Sequence, residues 1–157
     1  MVSNIYNHIT LSLQARKDLC WFKYVWTWYM PLKIKNFGWL VWRNKILTWK
    51  NLCRRGFEGP RRCYLCKEAF ENVLHLFFQC LFAIVYWICV LQRLNLNVHW
   101  FFISVEECCK WWMTQCKEQR TFPFFILWGI WNGRNALIFK DQPFDIGHIY
   151  DKILRNK

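Results

Sequence analysis

Acidic residues are scarce in this chain of 157 residues: ten Asp and Glu stand against 22 Lys and Arg, for a formal net charge of +12. That balance disfavours cationic partners and favours polyanions. Paired aspartates are missing. Asp18, Asp141, Asp145 and Asp151 are scattered, so no adjacent aspartates stand ready to hold the two metal ions of a polymerase-type site. Glu106 and Glu107 are neighbours, but the pattern Ser104-x-x-Glu107 explains Glu107 as part of a helix-opening capping box. There is no glycine-rich phosphate cradle. Leu81 to Leu91 and Phe122 to Trp131 are the greasiest stretches, and both fall short of the ~20 residues that span a bilayer. The opening residues, Met1 to His8, lack a basic segment followed by an apolar one, so no secretory signal is expected. These absences predict an intracellular protein, nuclear or cytoplasmic, neither secreted nor transmembrane. They also predict no membrane partner, no small-molecule substrate and no catalysis of its own.

Hydrophobic residues make up 55% of the chain, which argues against disorder and provides for one real core. Nine cysteines are present, and in a reducing compartment they stay thiols rather than disulfides. Three of them, with one histidine, form the pattern Cys63-x2-Cys66-x8-His75-x4-Cys80. A Cys-x2-Cys turn aims two sulfurs at one ion, and the His and third Cys complete a four-coordinate shell. The expected cofactor is therefore one structural Zn2+ held by Cys63, Cys66, His75 and Cys80. A closed shell leaves no position for a reactive water. Cys20, Cys53, Cys89, Cys108, Cys109 and Cys116 lie in apolar or amphipathic stretches and read as small packed hydrophobes. His8, His99 and His148 have no partner at ligand spacing.

The periodicity is mostly helical. Pro31 suits a first turn, and Ile34, Phe37, Leu40, Val41 and Leu47 recur near helical spacing, so a helix is expected over Leu32 to Lys45. Thr48 is the expected N-cap of a short helix ending near Arg55, with Gly56 at its left-handed C-terminal position. His75 and Cys80 pose a geometric problem. At about 100° per residue, two positions five apart on an α-helix do not share a face. A helix starting near Asn72 must therefore break around Gln79, with a second helix from about Leu81 to Leu94. Ser104 opens a helix to about Glu118, Phe122 to Phe139 reads as one long buried helix, and Asp145 caps a last one bearing Ile146, Ile149, Tyr150 and Ile153. The state of Ser3 to Leu13 is left open.

The chain also carries a resemblance. Trp26, Pro31 to Phe37, Trp39-Leu-Val-Trp42, Lys45 to Trp49, Asn51 to Gly56 and Gly59-Pro60 lead into Cys63 and Cys66. Glu71-Asn-Val-Leu-His75 and Cys80 follow, with Trp87 closing the series. In order and spacing this resembles the zinc-binding domain that follows the reverse transcriptase in plant LINE-type (non-LTR) retrotransposons. Trp128-Gly-Ile-Trp131 with Arg134, Asn135 and Phe139 is similar to the segment trailing that domain. The resemblance implies a small, mostly α-helical domain around the Cys-Cys-His-Cys site over residues 2–87, with residues 88–157 as a helical extension packed on it. In such elements the chemistry belongs to polymerase and endonuclease domains upstream.

Charge adds a partner. Residues 1–62 hold twelve basic and two acidic side chains, net +10, whereas residues 63–157 hold ten and eight, net +2. Arg54, Arg55, Arg61 and Arg62 bracket the turn into the metal pair, and guanidinium forks match phosphate geometry. With Lys45 and Lys50 they are the expected contacts to RNA or DNA. The plainer alternative is a solvated basic face. Trp39, Trp42 and Trp49 interleave with cations and are the base-stacking candidates, core packing being the stronger expectation for most tryptophans. Two other functions stay open: a protein-interaction module that docks a reverse transcriptase, and an inactive retroelement remnant.

Overall fold

In the computed structural model, residues 23, 25–96, 104–115, 118–145 and 147 are described. Their named elements are all helical: α1 (Leu32–Trp42), α2 (Trp49–Cys53), a single π turn (His75–Gln79), α3 (Leu81–Arg93), α4 (Val105–Gln115) and α5 (Phe122–Lys140). An isolated antiparallel bridge joins Arg62 to Phe70. The fold class is mostly α.

α1 buries Ile34, Phe37, Gly38 and Val41, the i, i+3, i+4, i+7 stripe of an amphipathic helix. Leu40 lies off that stripe and is exposed. The helix stops at Trp42, three residues before the expected Lys45, because Asn44 turns left-handed at φ 51°. The buried Asn51 amide holds that turn, donating to the carbonyls of Asn44 and Ile46 at 2.8 Å each. Arg43 and Lys45 therefore sit on the connection rather than on a helix face.

α5 is the central rod. Its first turn carries Pro123, where a missing N–H leaves nothing unpaired. Phe122 to Leu127 are all buried. α1 crosses α5 at Gly38: a Cβ there would stand 2.4 Å from the Phe124 ring, so only glycine admits that approach. Phe37 meets Trp128 edge-on at 5.1 Å and Phe77 at 6.3 Å, linking α1 to both α5 and the π turn. α4 opens as the capping box requires, with Ser104 Oγ accepting from the Glu107 amide at 3.1 Å. It buries Cys108, Cys109 and Trp112 in the shared core. The expected Ser3 to Leu13 pattern and most of the expected last helix lie outside the described residues; at the start of that last helix, Asp145 Oδ1 accepts from the Gly147 amide at 2.8 Å. No helix among the described residues is long and apolar enough to cross a membrane.

Candidate metal centre

Four ligand atoms converge. The sulfurs of Cys63, Cys66 and Cys80 and a ring nitrogen of His75 all lie within 4.8 Å of one another. Cys63 Sγ and Cys80 Sγ are 3.9 Å apart, and Cys66 Sγ is 3.3 Å from His75 Nε2. In a tetrahedral zinc shell with ordinary bond lengths, two sulfurs stand about 3.8 Å apart and a sulfur and nitrogen about 3.6 Å. The donor set and its spacing fit Zn2+. Cys63, His75 and Cys80 are buried and Cys66 half-buried.

Two local devices build this arrangement. Cys63 and Cys66 sit on a knuckle closed by the Lys67 amide donating to the Cys63 carbonyl at 2.7 Å and the Cys63 amide to the Ala69 carbonyl at 2.8 Å. The knuckle needs a left-handed residue after Cys66, and Lys67 takes it at φ 62°. The second device solves the His75–Cys80 problem. Residues 75–79 wind as a π turn, with the Cys80 amide donating to the His75 carbonyl at 2.7 Å. An i→i+5 bond brings positions five apart onto one side. Regularity then lapses at Cys80, which is extended at ψ 131° and N-caps α3. Asn72 Oδ1 accepts from the His75 amide at 2.9 Å, and the Trp87 indole donates to the Phe77 carbonyl at 2.9 Å, clamping the start and the middle of the turn. The sequence pointed to an interrupted helix; the interruption is a widened turn followed by a break one residue later than Gln79.

The crowded ligand atoms shift one another's protons. The Cys80 thiol is lowered from its ordinary value, first by its contact with Cys63 and further by the amides of Phe82 and Ala83 at the start of α3. A helix N-terminus favours thiolate. Cys63 is pushed up to about 12, chiefly by the neighbouring Cys80 sulfur and then by burial. His75 is raised by Cys63. Metal binding at these atoms therefore releases protons and weakens as pH falls.

One buried group escaped the sequence pattern. Glu71 is fully buried, and Arg134, 63 positions away on α5, is 4% exposed. The guanidinium grips the carboxylate through Nη2 at 2.6 Å and Nε at 3.3 Å. Glu71 also accepts from the amides of Trp49 at 3.1 Å and Tyr64 at 3.4 Å. One carboxylate thus ties α2, the Cys63–Cys66 knuckle and α5 together. Arg134 lies over the rings of Trp131 and Tyr64, at 5.0 and 5.6 Å. The signal was present: Arg134 is the one charge within Phe122 to Phe139, and a charge in a buried helix needs a partner.

The six candidate polynucleotide contacts, Lys45, Lys50, Arg54, Arg55, Arg61 and Arg62, are all exposed. Backbone bonds hold several of them near the knuckle. The Lys50 amide donates to the Glu71 carbonyl at 3.0 Å, the Glu71 amide to the Arg61 carbonyl at 3.1 Å, and the Arg54 amide to the Lys50 carbonyl at 3.2 Å. The tryptophan candidates are less open. Trp49 stacks on Tyr64 at 6.1 Å and abuts Gly59, where a Cβ would meet its ring at 2.2 Å. Trp39 is half-buried beneath Arg43, 5.5 Å from its ring centre, with Trp42 edge-on to it.

Comparison with known proteins decides the kinship. The family described as zinc-binding in reverse transcriptase matches residues 1–87. The chain belongs to that family. An Arabidopsis thaliana protein named "Putative ribonuclease H protein" is 26% identical over 93 residues, covering 59% of this chain and 15% of that relative. The chain therefore spans a small part of that relative's length. No solved structure matches. The resemblance to plant retroelement proteins read from the sequence is upheld by the family match.

Proposed function

We propose that this chain is a non-catalytic, zinc-binding polynucleotide module: one Zn2+, ligated by Cys63, Cys66, His75 and Cys80, braces a basic surface that holds RNA or DNA by its phosphates. The observation that carries the reading is that all six expected cations are exposed, and that the backbone of Lys50 and of Arg61 is bonded to Glu71, within the metal loop. Three sulfurs and one imidazole fill a tetrahedral shell, so the ion serves structure rather than chemistry. Residues 2–87 form the metal module in this reading and residues 88–157 an extension packed on it, as the Glu71–Arg134 pair supports. Membership of the family described as zinc-binding in reverse transcriptase supports a place beside a reverse transcriptase, inside the cell.

The test is removal of the charges of Arg54, Arg55, Arg61 and Arg62 together. Binding to every RNA and DNA sequence should weaken, and the salt slope should fall by roughly 0.7–0.9 for each phosphate that the protein ceases to neutralise. Zinc content and helicity should stay as in the parent. Unchanged binding and slope would reduce the basic surface to solvation. A docking module then leads, for a specific reason: Leu81, Val85 and Ile88 expose an apolar i, i+4, i+7 stripe on α3. Binding through that stripe would barely respond to salt. An inactive remnant would show neither kind of binding.

A further inference from the structure

Resting on the phosphate-binding reading, we infer that the occupant of the basic surface is a single-stranded polynucleotide, and that Phe57 and Phe70 are the platforms on which its bases stack. The tryptophans that the sequence put forward for this role are engaged elsewhere, as described for Trp49 and Trp39. The two phenylalanines are not. Phe57 is 59% exposed and Phe70 44%, and neither ring has an aromatic partner or overlying cation among the described residues.

Their placement supplies the charge complementarity. Phe57 follows the left-handed Gly56 in the turn beyond α2, and its amide donates to the Leu52 carbonyl at 3.2 Å. It lies directly between Arg54-Arg55 and Arg61-Arg62 in the chain. Phe70 is bridged to Arg62, with flanking bonds from the Cys63 amide to the Ala69 carbonyl and from the Glu71 amide to the Arg61 carbonyl. That is the narrow type of antiparallel pair, whose Cα atoms stand about 4.5 Å apart and whose side chains share a face. Arg62 and Phe70 thus offer a guanidinium for a phosphate and a ring for the adjoining base. From Lys45 to Phe70 the chain holds seven cations against Glu58 and Glu68, so the rings stand in a positive field. A duplex keeps its bases stacked on each other and has no free face for them, whereas a single strand does.

The full zinc-loaded chain tests this by fluorescence anisotropy against labelled oligo-dT, oligo-U and a DNA duplex of equal length, for the parent, Phe57→Ala/Phe70→Ala and Phe57→Tyr/Phe70→Tyr. Both rings are exposed, so the variants should keep the parent's zinc content and helicity. The alanine pair should bind oligo-dT and oligo-U at least roughly fivefold more weakly. Duplex affinity and the salt slope should not move, and the tyrosine pair should bind like the parent. Single-strand affinity unchanged in the alanine pair, with the salt slope intact, would overturn the stacking inference and leave the phosphate reading standing. Equal losses on single strand and duplex would overturn the preference for single strands. A parent that binds none of the three, or binds without salt dependence, would overturn the phosphate reading itself.

Discussion

The knuckle and π turn, Cys63 to Cys80, and the rod α5, Phe122 to Lys140, are held by opposite means. The first gathers polar ligand atoms into a space 4.8 Å across, and its backbone departs from regular geometry at Lys67, at residues 75–79 and at Cys80 to do so. The second is a regular helix whose first six residues are all buried. Directional bonds justify local strain; apolar burial rewards regularity instead. Among the described residues an ion pair, Glu71–Arg134, joins the two regions, and Arg134 also lies over the Tyr64 ring. Metal loss and core damage should therefore be felt across both.

The largest effect should come from removing the metal. Structural zinc can contribute ~10–16 kcal/mol in small peptides, against a usual domain stability of ~5–15 kcal/mol. Chelation, or Cys63→Ser, should abolish protection of the 63–80 amides in hydrogen exchange. Because Glu71 bridges the regions, α5 should lose protection in the same step. Persistence of a fully protected α5 would show that the regions are independent.

The ion pair comes next. Arg134→Met strands a fully buried carboxylate and should cost about 3–5 kcal/mol in denaturant unfolding. Pairing it with Glu71→Leu should recover part of that loss, although the amides of Trp49 and Tyr64 lose their acceptor. Equal damage in single and double variants would mean that Arg134 works by packing alone.

Gly38→Ala sets helix propensity against packing. Alanine favours a helix by about 1 kcal/mol, but its Cβ would press on the buried Phe124 ring, and overpacking costs about 1–3 kcal/mol. A net loss of stability, visible as a lowered melting temperature, is expected. Gly38→Ala/Phe124→Leu should relieve it.

The smallest effect belongs to Lys67. A left-handed non-glycine residue carries about 1–2 kcal/mol of strain, so Lys67→Gly should stabilise the zinc-loaded knuckle by about 1 kcal/mol in chemical unfolding. A destabilised variant would mean that the lysine side chain supports the knuckle.

What could be read in advance follows the same division. Ligand spacing states its purpose in four residues, and the conflict between that spacing and an α-helix already implied an irregular turn. The π form was not legible, because a break and a widened turn meet the same requirement. Helices with clear stripes or caps, such as α3 and α4, were placed within a few residues. The early end of α1 depended on Asn51 reaching back to Asn44, a tertiary bond that periodicity cannot carry. Glu71 with Arg134 was hidden by its separation in the chain. Phe57 and Phe70 carry no signal in the sequence, because exposure, not residue type, distinguishes them from the core phenylalanines.

Zinc K-edge X-ray absorption on the purified chain tests the central claim most directly. One zinc per chain is predicted, with three sulfurs at about 2.3 Å and one nitrogen at about 2.0–2.1 Å, and Cys80→Ser should lower the sulfur number by one. Protein free of zinc, or zinc bound only by nitrogen and oxygen, would contradict it.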